Sequence, residues 1–237
     1  YEGFDLSTTR TKKAIEEGLY DGWDDIRIPF LLALKRRGYQ PQALRKYARE
    51  VGVTRTDKTT TIEEFFKSIN AFNKEILDPI SNRFFMIRIP KEIFVEGTPK
   101  EKIILNLHPE KKNGGREFHI DENFIIEQED YDSFEEGKIH RLMDCINFTK
   151  HGNKLKFHSF EYEKFKENTG KIIHWIPKSS KTIDVEILMT DKTTIKAIAE
   201  SSIENVKVDD TIQFERFGFI RCDEITSKKY KFYFAHK

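Results

Sequence analysis

The stretch KEILDPISNRFFMIRI, Lys74–Ile89, holds the change of pattern that decides the fold. Before it the apolar positions keep a helical period: Phe65, Ile69, Phe72 and Ile76 stand at i, i+4, i+7 and i+11, behind a possible capping box of Thr61 and Glu64. Pro79 ends that helix. After Arg83 the period falls to two. RFFMIRI, EIFVE, KIILNL, NFIIE, IHRLMDCINF, KLKFHSFEY, KIIHWI, TIDVEILMT, TIQFERFGFI and KYKFYFAH follow one another as short runs separated by turn residues. About ten strands without intervening helices predict one or two antiparallel barrels or sandwiches, so the fold class is α+β, a helical part followed by a β part.

Working outward, the part before Asp78 divides into further helices. TKKAIEEGLYDG is followed by GWDDIRIPFLLALKRRGY, Gly22–Tyr39, and then by PQALRKYAREVG with a proline start and a stop at Gly52. In the second of these, Asp24 and Asp25 are expected to cap a helix that Pro29 helps to start and Gly38 closes. On the β side, Tyr230, Phe232 and Phe234 alternate onto one face. The apolar phase slips between Leu155 and Phe157 and then Phe160 and Tyr162, which a bulge would explain. HPEKKNGGR and EKFKENTGK read as loops.

With 237 residues, of which 38% are hydrophobic, the chain is long enough for two or three compact units. Its 41 basic and 40 acidic side chains leave a formal charge of +1, so attraction to nucleic acid must come from local patches. Cys145 and Cys222 form no CxxC pattern and the histidines have no ligand spacing, so neither a disulfide framework nor a metal site is expected. The reading is a soluble, cytoplasmic protein with no membrane role, since no apolar run approaches the length of a bilayer span.

No catalytic set is complete: there is no Gly-rich dinucleotide loop, no Walker loop and no paired-carboxylate site. What the residues offer is nucleic-acid chemistry. Arg83 stands where helix becomes strand, Arg141 lies within an alternating strand, and QFER places Gln213 and Glu215 on one face with Arg216 beside them. Arg, Gln and Glu can read unpaired base edges, and Tyr131 or Phe217 could stack on splayed bases. His174-Trp175 reads as barrel core and turn packing.

GWDDIRIPFLLALKRRGY, REVGVTRTD, KEILDPISNRFF, GKIIHWIP and IQFERFGFIRCD occur in the order in which similar stretches occur in glutamyl- and glutaminyl-tRNA synthetases of the archaeal and eukaryotic type. The chain resembles the C-terminal portion of that class I family, and KEILDPISNRFF is most similar to the archaeal glutamyl branch. The resemblance implies the end of a catalytic domain with a KMSKS-type loop over 1–12 and a helical stem-contact domain over 13–82. It implies an anticodon-binding region over 83–237, built of two ribosomal protein L25-like β-barrels. The distal barrel, about 100–175, would be inserted in the proximal one.

The resemblance also assigns roles. Ser7, Thr8, Thr9 and Arg10 would form the ATP loop, with Thr8 in place of the general motif's second lysine. Lys35, Arg36 and Arg37 would meet the tRNA backbone. Arg83, Arg141, Gln213, Glu215 and Arg216 match residues that contact anticodon nucleotides in the glutaminyl branch. Met143 and Asp144 depart from that branch, which has an arginine and an asparagine there, and Ile26 replaces a proline. The parent enzyme would activate glutamate with ATP and Mg2+ and charge tRNA(Glu), with tRNA(Gln) as a further candidate. This portion alone would bind neither glutamate nor ATP, carry no catalytic residue and be inactive. Two alternatives are the corresponding part of a glutaminyl-tRNA synthetase and a free-standing RNA-binding barrel protein, in which the LSTTR stretch would have no purpose.

Overall fold

The computed structural model describes residues 7–52, 59–227 and 229–237. Leu6 of LSTTR and the Val53–Asp57 part of REVGVTRTD lie outside them. Four helices come first. Thr8–Glu16 (α1) has Ser7 as N-cap, and Leu31–Arg37 (α2) ends on Gly38 at φ 96°. Pro41–Val51 (α3) carries its proline in the first turn, and Ile62–Leu77 (α4) has the reciprocal Thr61–Glu64 capping box that its sequence predicts. Phe65, Ile69 and Phe72 of α4 are buried against Leu34, Tyr39 and Ala43, so the helical period drives the packing of α2, α3 and α4.

The expected role of the acid pair is not what forms. Gly22–Phe30 is a run of turns and α2 starts only at Leu31, with Phe30 at its N-cap and no side-chain cap. Asp25 instead closes the preceding loop by accepting from the Asp21 and Arg27 amides, each at 3.0 Å, and from the Arg27 guanidinium. Asp24 pairs with Arg36 Nη1 at 2.8 Å. Pro29, placed just before the N-cap, keeps its predecessor extended and so delays the helix.

Two seven-stranded sheets follow, mixed and not purely antiparallel as expected, because strands distant in sequence (83–84 with 211–214, 182–188 with 229–236, 90–96 with 154–159, 139–142 with 169–173) pair in parallel, and each is closed by the same device. In the first the order is 83–84, 211–214, 218–225, 229–236, 182–188, 194–200 and 86–87. One stretch, Arg83–Ile87, supplies both ends of that order, with Phe85 at the join, so the sheet wraps into a barrel with its edges paired. In the second the order is 169–173, 139–142, 147–151, 154–159, 90–96, 123–127 and 176–177. Here the ends are the two sides of His174-Trp175, which therefore form the second join.

The two joins face one another. Phe85 lies 6.0 Å from Trp175 and 6.3 Å from His174 between ring centroids, and Phe118 lies 5.1 Å from Trp175. Tyr230, Phe232 and Phe234 share the core face of the first barrel. The bulge expected after Phe157 is present: Phe148 pairs with Phe157 and Asn147 with Ser159, leaving His158 as the extra residue.

Four local expectations are corrected. KKNGGREFHI is a strand, paired with Glu101–His108 in a long hairpin, because Gly115 stays in the ladder opposite Asn106 at positive φ while Gly114, in the irregularity beside it, donates to the Asn106 side chain. Tyr162–Glu167 is a short helix and not a loop. Thr194–Glu200 is a strand that the period-two reading passes over. IHRLMDCINF is two strands, Ile139–Leu142 and Asn147–His151, joined by a tight turn in which Asp144 has φ 53°.

Candidate nucleic-acid interface

The predicted base-reading residues divide into a group and an outlier. Arg83 and Gln213 are register partners on adjacent parallel strands of the first barrel. Glu215 and Arg216 leave that barrel at the Phe214–Gly218 turn, where Arg216 takes φ 62°. Arg83 is held by Asp78 at 3.0 Å and lies 3.9 Å from the Glu215 carboxylate. Its Nε and the Gln213 Oε1 are buried without a hydrogen-bond partner among the described residues. Burial pushes the Glu215 carboxyl up from its ordinary value, against the opposing pull of Arg83 and Arg116.

Glu215 divides two cavities that open between the barrels. One, of about 440 Å³, is lined by Arg83, Asn106, Arg116, Met143, Asp144 and Glu215 among others. The second, of about 390 Å³, is lined by Arg88, Asp130, His174, Glu215, Arg216 and Phe217 among others. A nucleobase is a flat group that either volume can hold.

Arg141 is the outlier. It is 7% exposed and donates to Asn147 Oδ1 at 2.7 Å and to the Phe160 carbonyl at 3.0 Å, while its guanidinium lies 5.5 Å from the Tyr162 ring centre. It ties together the turn after Leu142 and the strand end at Phe160. Its Nη1 is held internally by partners that arrive from other strands. Tyr131, named as a possible stacking ring, packs against the second barrel core under Lys91. Phe217 does line a cavity, edge-on to Phe234.

The basic cluster on α2 also divides. Lys35 is exposed. Arg36 lies over the Tyr233 ring at 4.6 Å and beside Asp223, and Arg37 is buried, donating to the Phe234 and Ala235 carbonyls at 3.2 and 2.7 Å. Arg37 is thus a bolt between helix and barrel and is not placed to meet a phosphate. Ser7, Thr8, Thr9 and Arg10, expected as a loop, are a helix cap and first turn, because the Ser7 hydroxyl accepts from the Arg10 amide.

Five charged groups that the sequence does not single out complete the junction. Arg116, from the hairpin, forks onto Glu200 at 2.8 and 2.5 Å, and Glu200 also accepts from the Phe85 amide at 2.7 Å. Arg216 forks onto Asp130, and Glu127 accepts from the Arg88 amide and guanidinium at 2.9 and 3.1 Å. Each joins segments far apart in sequence, so no local spacing announces them. Among the described residues no group of His, Cys, Asp and Glu could hold a metal ion, and no helix is long and apolar enough to cross a membrane.

Two family models, both described as tRNA synthetases class I (E and Q), anti-codon binding domain, match residues 81–163 and 172–223, together more than half of the chain. The chain belongs to that family and carries its anticodon-binding region. Three relatives similar along nearly its whole length are each named glutamate–tRNA ligase. That of Thermococcus kodakarensis is 37% identical over 244 residues, covering 100% of this chain and 42% of the relative. That of Methanocaldococcus jannaschii is 36% identical over 238 residues, covering 98% and 41%, and that of Methanobrevibacter smithii is 35% identical over 239 residues, covering 100% and 41%. The chain therefore spans about two fifths of the length of these relatives.

Proposed function

We propose that the chain is the tRNA-gripping portion of a glutamate–tRNA ligase and that the junction between its two barrels reads unpaired anticodon bases. The observation that carries this reading is the pairing of unmet polar atoms with open volume. Arg83 Nε and Gln213 Oε1 are buried without a partner among the described residues, beside a cavity that Arg83 and Glu215 line. A buried polar atom left unpaired costs about 1–3 kcal/mol, so a base edge supplying an acceptor and a donor there would bind with that cost recovered.

On this reading the sheets are the L25-like barrels, the second, Pro90 to Pro177, being an insertion between Ile87 and Thr182 of the first, and α1 to α4 are the stem-contact unit. Lys35 would meet a backbone phosphate. Ser7 to Arg10 would lie beside the nucleotide site of the catalytic part, which would hold ATP with Mg2+ and glutamate in the cytoplasm. The names of the relatives favour tRNA(Glu), and Met143, an apolar group lining the larger cavity, favours it over tRNA(Gln) as well. tRNA(Gln) stays a second candidate partner.

The test is fluorescence anisotropy with a labelled tRNA(Glu) anticodon arm and with arms changed at each anticodon base. Arg83→Ala is expected to lower affinity for the cognate arm by about 1–3 kcal/mol and to erase its preference over one altered arm. Equal weakening on every arm would refute base reading by Arg83.

A further inference from the structure

We infer that Asp130, with His174, is a positioning residue: it fixes the Arg216 guanidinium so that its free edge is presented to a pair of adjacent acceptors on an unpaired base. This rests on the reading of the barrel junction as an anticodon site. The argument follows from how the five N–H groups of one arginine are shared.

Arg216 stands at a left-handed position in the tight Phe214–Gly218 turn, a conformation that costs a residue with a side chain about 1 kcal/mol and is kept where surroundings dictate it. The turn sends the side chain across the gap to the second barrel. There both Asp130 oxygens meet both terminal nitrogens, Oδ2 to Nη1 at 2.6 Å and Oδ1 to Nη2 at 2.7 Å. Asp130 is 4% exposed and lies on the short helix Gln128–Asp132, which cannot follow a moving guanidinium without disturbing the barrel beneath. A carboxylate forked on the end of the guanidinium fixes its plane as well as its place.

A second partner fixes the remaining side. Nη1 also lies 3.2 Å from His174 Nδ1. Arginine can only donate, so Nδ1 accepts and the imidazole proton sits on Nε2, which faces Glu127 Oε1 at 3.7 Å. His174 is at the join of the second barrel and 4% exposed, which makes it a rigid wall. With the end taken by Asp130 and the outer flank by His174, the Nε–H and the second Nη2–H remain. No described residue bonds Nε, and the Arg216 side chain is 38% exposed where it lines the 390 Å³ cavity. Those two N–H groups form the parallel fork that recognises two adjacent acceptors on a base edge.

The experiment measures the ratio of affinities for the cognate anticodon arm and for arms substituted at each anticodon base, over a range of salt. It compares the unaltered chain with Arg216→Ala, Arg216→Lys, Asp130→Asn and Asp130→Glu. Asp130→Asn keeps size and removes the forked acceptor. It is expected to lose about tenfold in discrimination at the one base that Arg216→Ala also affects, with the slope of log affinity against log salt unchanged. Arg216→Lys, which keeps the charge and loses the fork, is expected to match Asp130→Asn, and Asp130→Glu to recover part of the loss. Full discrimination in Asp130→Asn while Arg216→Ala loses it would overturn the positioning role and leave the anticodon reading intact. A shallower salt slope with equal loss on all arms would assign the fork to a phosphate and overturn it too. Absence of any cognate preference in the unaltered chain would instead sink the underlying reading. Should Asp130→Asn unfold, the Arg216→Lys comparison decides alone, since unimpaired discrimination there excludes a fork.

Discussion

Lys35 and Arg37 are two positions apart on one helix and have opposite surroundings. Arg37→Ala would leave the Phe234 carbonyl without its side-chain donor and the Ala235 carbonyl with only the 3.4 Å bond from Tyr39, so a loss of stability of about 1–3 kcal/mol in urea unfolding is expected, with the salt slope of RNA binding unchanged. Lys35→Ala is expected to do the reverse, flattening that slope by about 0.7–0.9 and leaving stability alone. Glu127 gives a pH signature. Burial would raise its carboxyl, but the neighbouring His174 imidazole, 3.7 Å away, and bonds from the Arg88 amide and guanidinium prevail and bring it to about 2. Its folded pKa lies below the unfolded value, so the stability it contributes is present above about pH 4.5 and is lost as the pH falls from there toward 2. Glu127→Gln should be less stable at neutral pH and show a flatter acid limb over that window. Burial also pushes both thiols, Cys145 and Cys222, up to about 12, and a thiol reagent at pH 8 should label them only on unfolding. At this scale the sequence discloses residue types and hides partners. Arg83, Gln213, Glu215 and Arg216 converge because two strands carry them to one end of a barrel. Arg141 has the same chemistry, and only the fold brings Asn147 and Phe160 to its guanidinium.

Elements were legible where their signals were local. The Thr61–Glu64 box, the Pro41 start and the α4 stripe depend on residues within a turn or two of one another, and all three form as read. The hairpin strand Lys111–Ile120 was not legible, because its glycines carry the usual mark of a loop while a partner strand supplies the ladder. The acid pair misled for a similar reason: Asp25 found its donors behind it, at Asp21, and beside it, at Arg27. Gly38 gives a test of how an element end becomes an interface. It closes α2 at φ 96°, and a Cβ there would come within 3.0 Å of Thr211 Oγ1 and 3.2 Å of Arg221 Cβ. Gly38→Ala should therefore cost about 1–3 kcal/mol by strain and by pushing the helix off the barrel, measured as a lower melting temperature.

For the whole molecule, helices and first barrel share buried contacts: Leu77 packs with Phe219 and Ala235, and Asn73 bonds His236 at 2.9 Å. The same paired closure that joins the barrels also sets an order of events during synthesis. Arg83 and Phe84 leave the ribosome about 130 residues before Gln213 and Phe214, the strand they must lie beside. The second barrel suffers no such delay, since all its strands fall between Pro90 and Pro177 and it can close on Trp175 as soon as that stretch has emerged. In a chain with Trp23→Phe, fluorescence of Trp175 should reach its native value earlier in refolding than far-UV signals of the completed sheets. Until the last strands arrive, Arg83–Ile87 is a hydrophobic edge without a partner, and at ordinary translation speeds of roughly 5–20 residues per second that interval lasts on the order of ten seconds. The stretch that closes the barrel is thus also the one a growing chain must keep from pairing with its neighbours.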